Sequence, residues 1–404
     1  MAGRGRLSKP PQVAVLVETS LAAGRDILAG IAEYVRRHGP WVVYLEAHDI
    51  GQPPPIWFRK WRGDGVIVRL HNARIAEAVA RKSCPVVDVL GVYSRGRYPL
   101  VHTNNRLIGR LAADHFHERG FVHYAFAGIG DEAWSVERRG AFEAHVAELG
   151  GSCSAMTWSN AQERRVMLSD RLRPVADWVR SLRMPIGIFV SSDSRALLVR
   201  DAVVEAGYAV GRDVGILGVD NDGAFCEMPS PSLSSIDADH REVGYRAAEW
   251  LDRLMRGEAP PAEPVLVPPR GIVVRESTDF LAVADPIVQR AMSFIRLHAA
   301  EGIRVGDIVE ASFASRSVLQ RRFRNLLGQS VHDVLLQEKV RRAIRLLRGT
   351  NEPIESIAEM SGFAYVQSLN KALRRLYHTS ARAYRRKGMS VVAGDAGPQK
   401  KEKR

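Results

Sequence analysis

Residues 12–37 read QVAVLVETSLAAGRDILAGIAEYVRR, and the change of rhythm inside that stretch decides the fold. Residues 13–17 form a short apolar, β-branched run, the mark of a buried strand. From residue 25 to 37 the apolar residues Ile27, Leu28, Ile31 and Val35 fall at helical spacing. Between them lies a polar loop. The same strand, loop and helix alternation continues through segments 41–45 and 56–61, 65–68 and 73–81, 86–89, 108–119 and 124–127. It goes on through 136–148, 175–181 and 186–190, then 196–206 and 215–218. Such repetition argues for an α/β, doubly wound arrangement, with parallel sheets covered by helices on both faces.

In open sheets of this kind ligands sit beyond the carboxyl ends of the strands. Several of the corresponding loops are polar here. Val17 is followed by Glu18 and leads to Arg25; the segment after Ala127 leads to Trp134 and Arg138; Val190 is followed by Ser191, Ser192 and Asp193; Val219 is followed by Asp220 and Asn221. A pyranose needs carboxylates and amides to bracket its hydroxyls, an arginine to donate to its oxygens, and an aromatic face for its C–H side. Glu18, Arg25, Asp193, Asp220, Asn221, Arg138 and Trp134 supply that set. Taken singly, each has a plainer role, since an Asp after a strand serves as a helix cap and a Trp as packing. Their joint placement on strand ends is what marks a small-ligand site.

Beyond these loops, a series of short stretches recurs in a fixed order. They include Gly24-Arg25-Asp26, Asp64-Gly65-Val66-Ile67, Pro85-Val86-Val87, Asn104-Asn105, Ser192-Asp193, Gly218-Val219-Asp220-Asn221 and Ser234-Ser235-Ile236. In this order and spacing, residues 11–280 resemble the sensing domain shared by the LacI family and the periplasmic sugar-binding proteins. The resemblance implies two lobes that close around a ligand. It also implies three chain crossings, near residues 103–107, 236–240 and 259–263. It further implies that Arg138 and Asp220 contact a sugar, and that the position of Ser192 usually holds an Asn that does so too. Here the shorter Ser departs from the pattern, so Asp193 or Ser191 is expected to share its task.

Charge sets the rest of the chain apart. Residues 286–404 carry 23 Lys and Arg against 10 Asp and Glu, so the whole net charge of +13 lies there, and residues 1–285 balance at 35 of each sign. A basic segment joined to a neutral one suggests a polyanionic partner, because cations that neutralise phosphates release condensed counterions. From residue 286 strand patterns give way to helical ones at 287–299, 305–310, 315–327, 330–347, 354–360, 366–376 and 381–387. Ser315 and Ser330 are suited to cap helices, and Gly362 to end one. Segments 308–311 and 315–327, joined by a short turn, have the spacing of a helix-turn-helix, and 354–360 with 366–376 repeat it. In the first reading helix Val318, Leu319 and Phe323 are expected to pack inward. Arg316, Ser317, Gln320, Arg321 and Arg324 then point outward, with Gln and Arg suited to adenine and guanine edges.

Ser315, Leu319, Arg321, Phe323, Gly328, Ala343, Ile357, Ala358, Gly362, Phe363, Tyr384 and Arg385 are among the residues by which this segment resembles the AraC/XylS-type DNA-binding domain. That resemblance places Ser317, Gln320 and Arg321 in the first unit, and Val366, Gln367, Ser368 and Lys371 in the second, against bases. The chain departs from the pattern at Phe313, where a turn Gly is usual, at Leu369 and Leu373 for a Phe pair, at His378 for Gly, and at Ala381 for Pro. If position 313 keeps a positive φ, its Phe is strained by roughly 1–3 kcal/mol.

The expected organisation is an N-terminal arm at 1–10, a sensor at 11–280, an AraC-type domain at 281–388 and a disordered basic tail at 389–404. Only a short arm precedes the first strand, so the DNA-binding helices are expected at the C-terminal end. This combination resembles a family of xylose-responsive operon regulators, which implies D-xylose as inducer and activation of pentose-catabolic genes. It also implies a homodimer on double-stranded DNA, with RNA polymerase as a further partner. Related sensors take other sugars or purines, and the Ser at 192 leaves those alternatives open. No cofactor or metal is expected, since the histidines lack ligand spacing and Gly128-Ile129-Gly130 lacks the continuation of a nucleotide loop. A sugar-processing enzyme or a transport-type binding protein is accordingly disfavoured. Cys84, Cys153 and Cys226 fit neither a disulfide framework nor a zinc spacing, and Glu18 and Arg25 interrupt any leader-like apolar run. A cytoplasmic location, away from membranes, is the expectation.

Overall fold

The run at 13–17 is buried on both of its faces, which is why it is apolar throughout. Val13, Val15 and Val17 enter one core, with Ile27, Ile31 and Tyr34 of the helix Ala22–His38. Ala14 and Leu16 enter another, with Phe58, Ile75 and Val79. In the computed structural model, which describes residues 9–94, 96–159, 168–280, 285–350 and 352–388, this strand, β1 (Gln12–Leu16), is central to the first of two lobes. Its sheet runs β2 (Val42–Tyr44), β1, β3 (Gly65–Val68), β4 (Val86–Asp88), all parallel. A parallel pair, β5 (Val101–Thr103) and β11 (Val265–Val267), adjoins it through a bridge between Asp88 and Leu100.

Helix Ala22–His38 lies against helix His240–Met255, and the contact depends on two glycines. A Cβ on Gly30 would meet the Arg241 carbonyl oxygen at 1.9 Å, and one on Gly244 the Ile27 carbonyl oxygen at 1.9 Å. The backbones therefore approach more closely than any side chain permits. The second lobe is built on a six-stranded sheet. Its strands are β6 (His123–Ile129), β7 (Cys153–Trp158), β8 (Ile186–Val190), β9 (Val214–Val219), β10 (Ser234–Asp237) and β12 (Gly271–Val273). The order is β12-β10-β9-β8-β6-β7, and only β12 is antiparallel to its neighbour.

The chain passes between the lobes at 104, at 238–239 and at 268–270, where one lobe's strand ends and the other lobe's next element begins. The third crossing corrects the expectation of 259–263. That Pro-rich stretch only leads from helix His240–Met255 into β11, and the turn to the second lobe falls at the next proline pair, Pro268 and Pro269.

The chain divides into two packed units, Met1–Leu281 and Ala282–Arg404. The described part of the second unit is helical: Pro286–His298, Val305–Ala311, Arg316–Leu327, Val331–Gly349, Ile354–Met360, Val366–Tyr377 and Ala381–Gly388. Helix Val331–Gly349 is a shared spine. Its Val331, Val334 and Leu335 complete one core with Leu319 and Phe323, and its Val340, Ala343, Ile344 and Leu347 complete another with Ile357, Leu369 and Leu373. Ser315 accepts from the Val318 N–H at 3.4 Å and Ser330 from the Asp333 N–H at 3.1 Å, capping their helices. Most of the N-terminal arm and the whole basic tail at 389–404 lie outside the described residues.

Candidate functional site

A cavity of about 310 Å³ opens in the first unit, lined from one lobe by Leu21, Arg69, His71, Leu90 and His102 and from the other by Trp134, Arg138, Ser192, Asp193 and Asp220. Its size falls at the small end of ligand pockets, which suits one monosaccharide.

Arg138 is the most firmly placed of these groups. Its helix, Ala133–Glu148, aims the side chain inward, where Nε donates to Asn105 Oδ1 at 2.9 Å and a terminal nitrogen donates to the Ser191 carbonyl at 2.6 Å. The other terminal nitrogen lies 4.0 Å from Asp220 Oδ1. Burial pulls the guanidinium below its ordinary range, and Asp220 and Asp193 pull it back. Trp134 lies beneath it, with the Arg138 guanidinium 4.9 Å and that of Arg195 5.9 Å from the ring. The Trp134 indole N–H donates to Glu132 at 3.1 Å, so the ring is held at one edge beside the cavity. Trp134 belongs to the first turn of this helix, which corrects its expected place on a strand-end loop. β6 runs on to Ile129, and the helix starts three residues before the expected residue 136.

The two aspartates are driven apart by their surroundings. Burial pushes Asp220 up. The hydrogen bond from His240 Nε2 at 2.9 Å, with the His240 and Arg138 charges, outweighs that and holds the carboxyl below its usual range. Burial, reinforced by the Asp220 charge, pushes Asp193 up to about 8. Asp193 accepts from Ser235 Oγ at 2.6 Å and from the Asp222 N–H at 2.8 Å. It fits because position 218 is glycine, where a Cβ would stand 2.1 Å from Asp193 Oδ1. Of the two, Asp220 is the carboxyl held toward its charged form and Asp193 the one pushed toward its protonated form. Ser192 Oγ accepts from Arg195 at 3.0 Å and is already engaged.

Three expected residues do not line the cavity. Glu18 is fully buried and bound to Arg69, so it holds that arginine at the wall. Arg25 is exposed and donates to the carbonyls of Thr19 and Ser20, at 3.0 and 2.9 Å, which fixes its own loop. Asn221 turns away, its Oδ1 accepting from Arg275 at 2.9 Å and its N–H bound to Ser235 Oγ at 3.0 Å. Its φ of 50°, after 104° at Asp220, redirects the side chain. Sequence reasoning passed over Arg69, His71, His102 and His240. The signal was available for Arg69 and His71, which follow β3 at the same strand edge, whereas His102 lies inside a three-residue strand and gave none.

In the second unit Arg316, Ser317, Arg321 and Arg324 are exposed along helix Arg316–Leu327, and Gln367, Ser368 and Lys371 along helix Val366–Tyr377. Three expectations change. Gln320 is half-buried with Oε1 enclosed, and Val366 packs against the second core, so neither stands free at the surface. Val318 is half-buried and is not part of the core that takes Leu319 and Phe323. Phe313 has φ 52° and is 84 % exposed; His378 has φ 53° and ends its helix. Ala381 uses an N–H that Pro would lack, donating to Asn370 Oδ1 at 2.9 Å.

Among the described residues no group of three or more His, Cys, Asp or Glu is placed to hold a metal ion, and no helix is long and apolar enough to cross a membrane. The three cysteines are unpaired.

Comparison with known proteins matches residues 12–106 to the XylR N-terminal domain, 113–278 to a periplasmic binding protein-like domain and 308–387 to a helix-turn-helix domain. The chain is 30 % identical over 394 residues to the xylose operon regulatory protein of Escherichia coli (strain K12), covering 94 % of this chain and 97 % of that one. It is 27 % identical to the protein of the same name from Haemophilus influenzae, covering 93 % and 98 %. The solved structure of the xylose-binding transcription activator xylR superposes with a TM-score of 0.74 at 29 % identity, over 94 % of this chain and 98 % of that one.

Proposed function

Since the chain belongs to the family of the xylose operon regulatory proteins, and is a sugar-sensing, DNA-binding transcription regulator, we propose that D-xylose, held in the cavity of the first unit, is its effector. The observation that carries this reading is the joint placement of Arg138, Trp134 and Asp220 in one small cavity. Arg138 offers N–H donors to ring and hydroxyl oxygens, Asp220 accepts from two vicinal hydroxyls, and Trp134 covers the C–H face of the sugar. Asp193 and Ser192 complete the wall beside them.

Arg316, Ser317, Arg321 and Arg324, with Gln367, Ser368 and Lys371, face the major groove of double-stranded DNA, and the tail adds attraction to phosphates. The protein works in the cytoplasm as a homodimer on repeated half-sites and activates transcription by RNA polymerase. Sugar acts only through its differential affinity for two states of the sensor. A ratio of ~100-fold supplies about 2.7 kcal/mol, enough to shift a poised equilibrium. A second reading keeps the regulator and changes the sugar, and Ser192, in the place of an Asn, favours it.

The test is selection of duplexes from a random library by the full-length protein with D-xylose present. Enrichment of a repeated half-site, bound about tenfold or more tightly with D-xylose than without it, is expected. Enrichment with no response to any pentose would reject the effector and keep the DNA reading.

A further inference from the structure

Two histidines line the cavity with one ring nitrogen unmatched. His71 follows β3 and His102 lies in β5, and each is only 7 % exposed. In each ring Nδ1 faces a backbone carbonyl, that of Arg69 at 2.8 Å for His71 and that of Val89 at 3.1 Å for His102. A carbonyl can only accept, so Nδ1 carries the proton and Nε2 keeps its lone pair. Neither Nε2 has a hydrogen-bond partner. Burial pushes both imidazoles down, His102 to about 3, so each ring is neutral at pH 7. His48 stacks on His71, with centroids 6.3 Å apart and planes 24° from parallel, and holds its ring plane.

Arg69 is held by Glu18, Arg138 by Asn105 and Ser191, and Asp220 by His240, and none of these groups is hydrogen-bonded to either Nε2. A buried acceptor left unmatched is costly, so the two Nε2 atoms call for donors from whatever fills the cavity. Resting on the reading of this cavity as a sugar site, we propose that His71 and His102 are its specificity-determining acceptors, each taking a hydrogen bond at Nε2 from a hydroxyl of an uncharged, polyhydroxylated ligand. A carboxylate or phosphate oxygen has no proton to give and meets a lone pair, so an anionic group does not occupy this end of the cavity.

Isothermal titration of the full-length protein with D-xylose and its monodeoxy analogues tests this. The wild type should bind one analogue roughly tenfold more weakly, because the hydroxyl facing His102 is gone. His102→Leu should lose about the same for D-xylose and then show no further loss with that analogue, while His102→Gln, which restores an acceptor, recovers part of the affinity. His71→Leu and His71→Gln should repeat the pattern with a different analogue. Equal losses across all analogues in the Leu variants would make the histidines packing residues and overturn the proposal. If a Leu variant lacks a melting transition, nitrogen-15 NMR of histidine-labelled wild type decides instead. Both Nε2 resonances should move when D-xylose is added, and static resonances would overturn the proposal. Absence of heat from D-xylose with the wild type would instead remove the sugar reading on which the proposal rests.

Discussion

Polar side chains do their work in opposite ways in the two units. In the sensor, Arg138 and Asp193 are buried, and their hydrogen-bond partners lie far away in sequence. In the DNA-binding unit, Arg316, Arg321, Arg324 and Lys371 stand in solvent on two short helices whose apolar sides do the packing. A buried charge is worth much to its site and costs much when its partner is lost. An exposed charge contributes little alone, acts with many others, and is screened by salt.

That contrast ranks the expected effects. Arg138→Met should have the largest, because it removes the cation beside Asp220 and leaves Asn105 and the Ser191 carbonyl without their donor. Thermal or urea unfolding of the sensor should lose about 3–5 kcal/mol, and titration should show sugar affinity at least ~100-fold weaker, while sugar-free binding of non-specific duplex stays unchanged. Salt separates the units next. Between 50 and 200 mM salt, DNA affinity measured by fluorescence anisotropy should fall about 10³-fold if some six phosphates are contacted, whereas sugar affinity should stay within about twofold. A sugar affinity that fell as steeply would mean that its site is open to ions, against the contrast drawn here.

Arg321→Ala should weaken binding to the selected duplex by about 1–3 kcal/mol and relax preference at one base pair, with sugar heats unaltered. The smallest effect belongs to the backbone. Phe313→Gly and His378→Gly each relieve a positive φ and should stabilise the second unit by about 1 kcal/mol, read as a raised melting transition; lowered transitions would show that these side chains contribute packing.

The same contrast explains what could be read from the sequence. Strands buried on both faces announce themselves as unbroken β-branched runs, so 13–17, 65–68 and 186–190 were legible. The three-residue strands β5, β11 and β12 are too short to show a period, and β7 carries polar residues on half-exposed positions. Helix His240–Met255 carries Gly244 in its interior, and only the contact with Ile27 shows why glycine is required there. Both helix-turn-helix repeats were visible because each is a contiguous segment with its own apolar stripe. The cavity was half visible. Arg138, Asp193 and Asp220 sit where strand ends converge, but the roles of Glu18, Arg25 and Asn221 were set by partners that no local pattern discloses: Arg69, the carbonyls of Thr19 and Ser20, and Arg275.

The most direct test of a buried sugar site is isothermal titration of the full-length protein with D-xylose, beside L-arabinose, D-ribose and D-glucose, and with Asp220→Ala as the paired variant. The account predicts saturable heat from D-xylose that vanishes in Asp220→Ala while that variant keeps its melting transition. Equal binding of D-xylose by the wild type and Asp220→Ala would contradict it, because the carboxylate that His240 and Arg138 hold charged would then play no part in recognition.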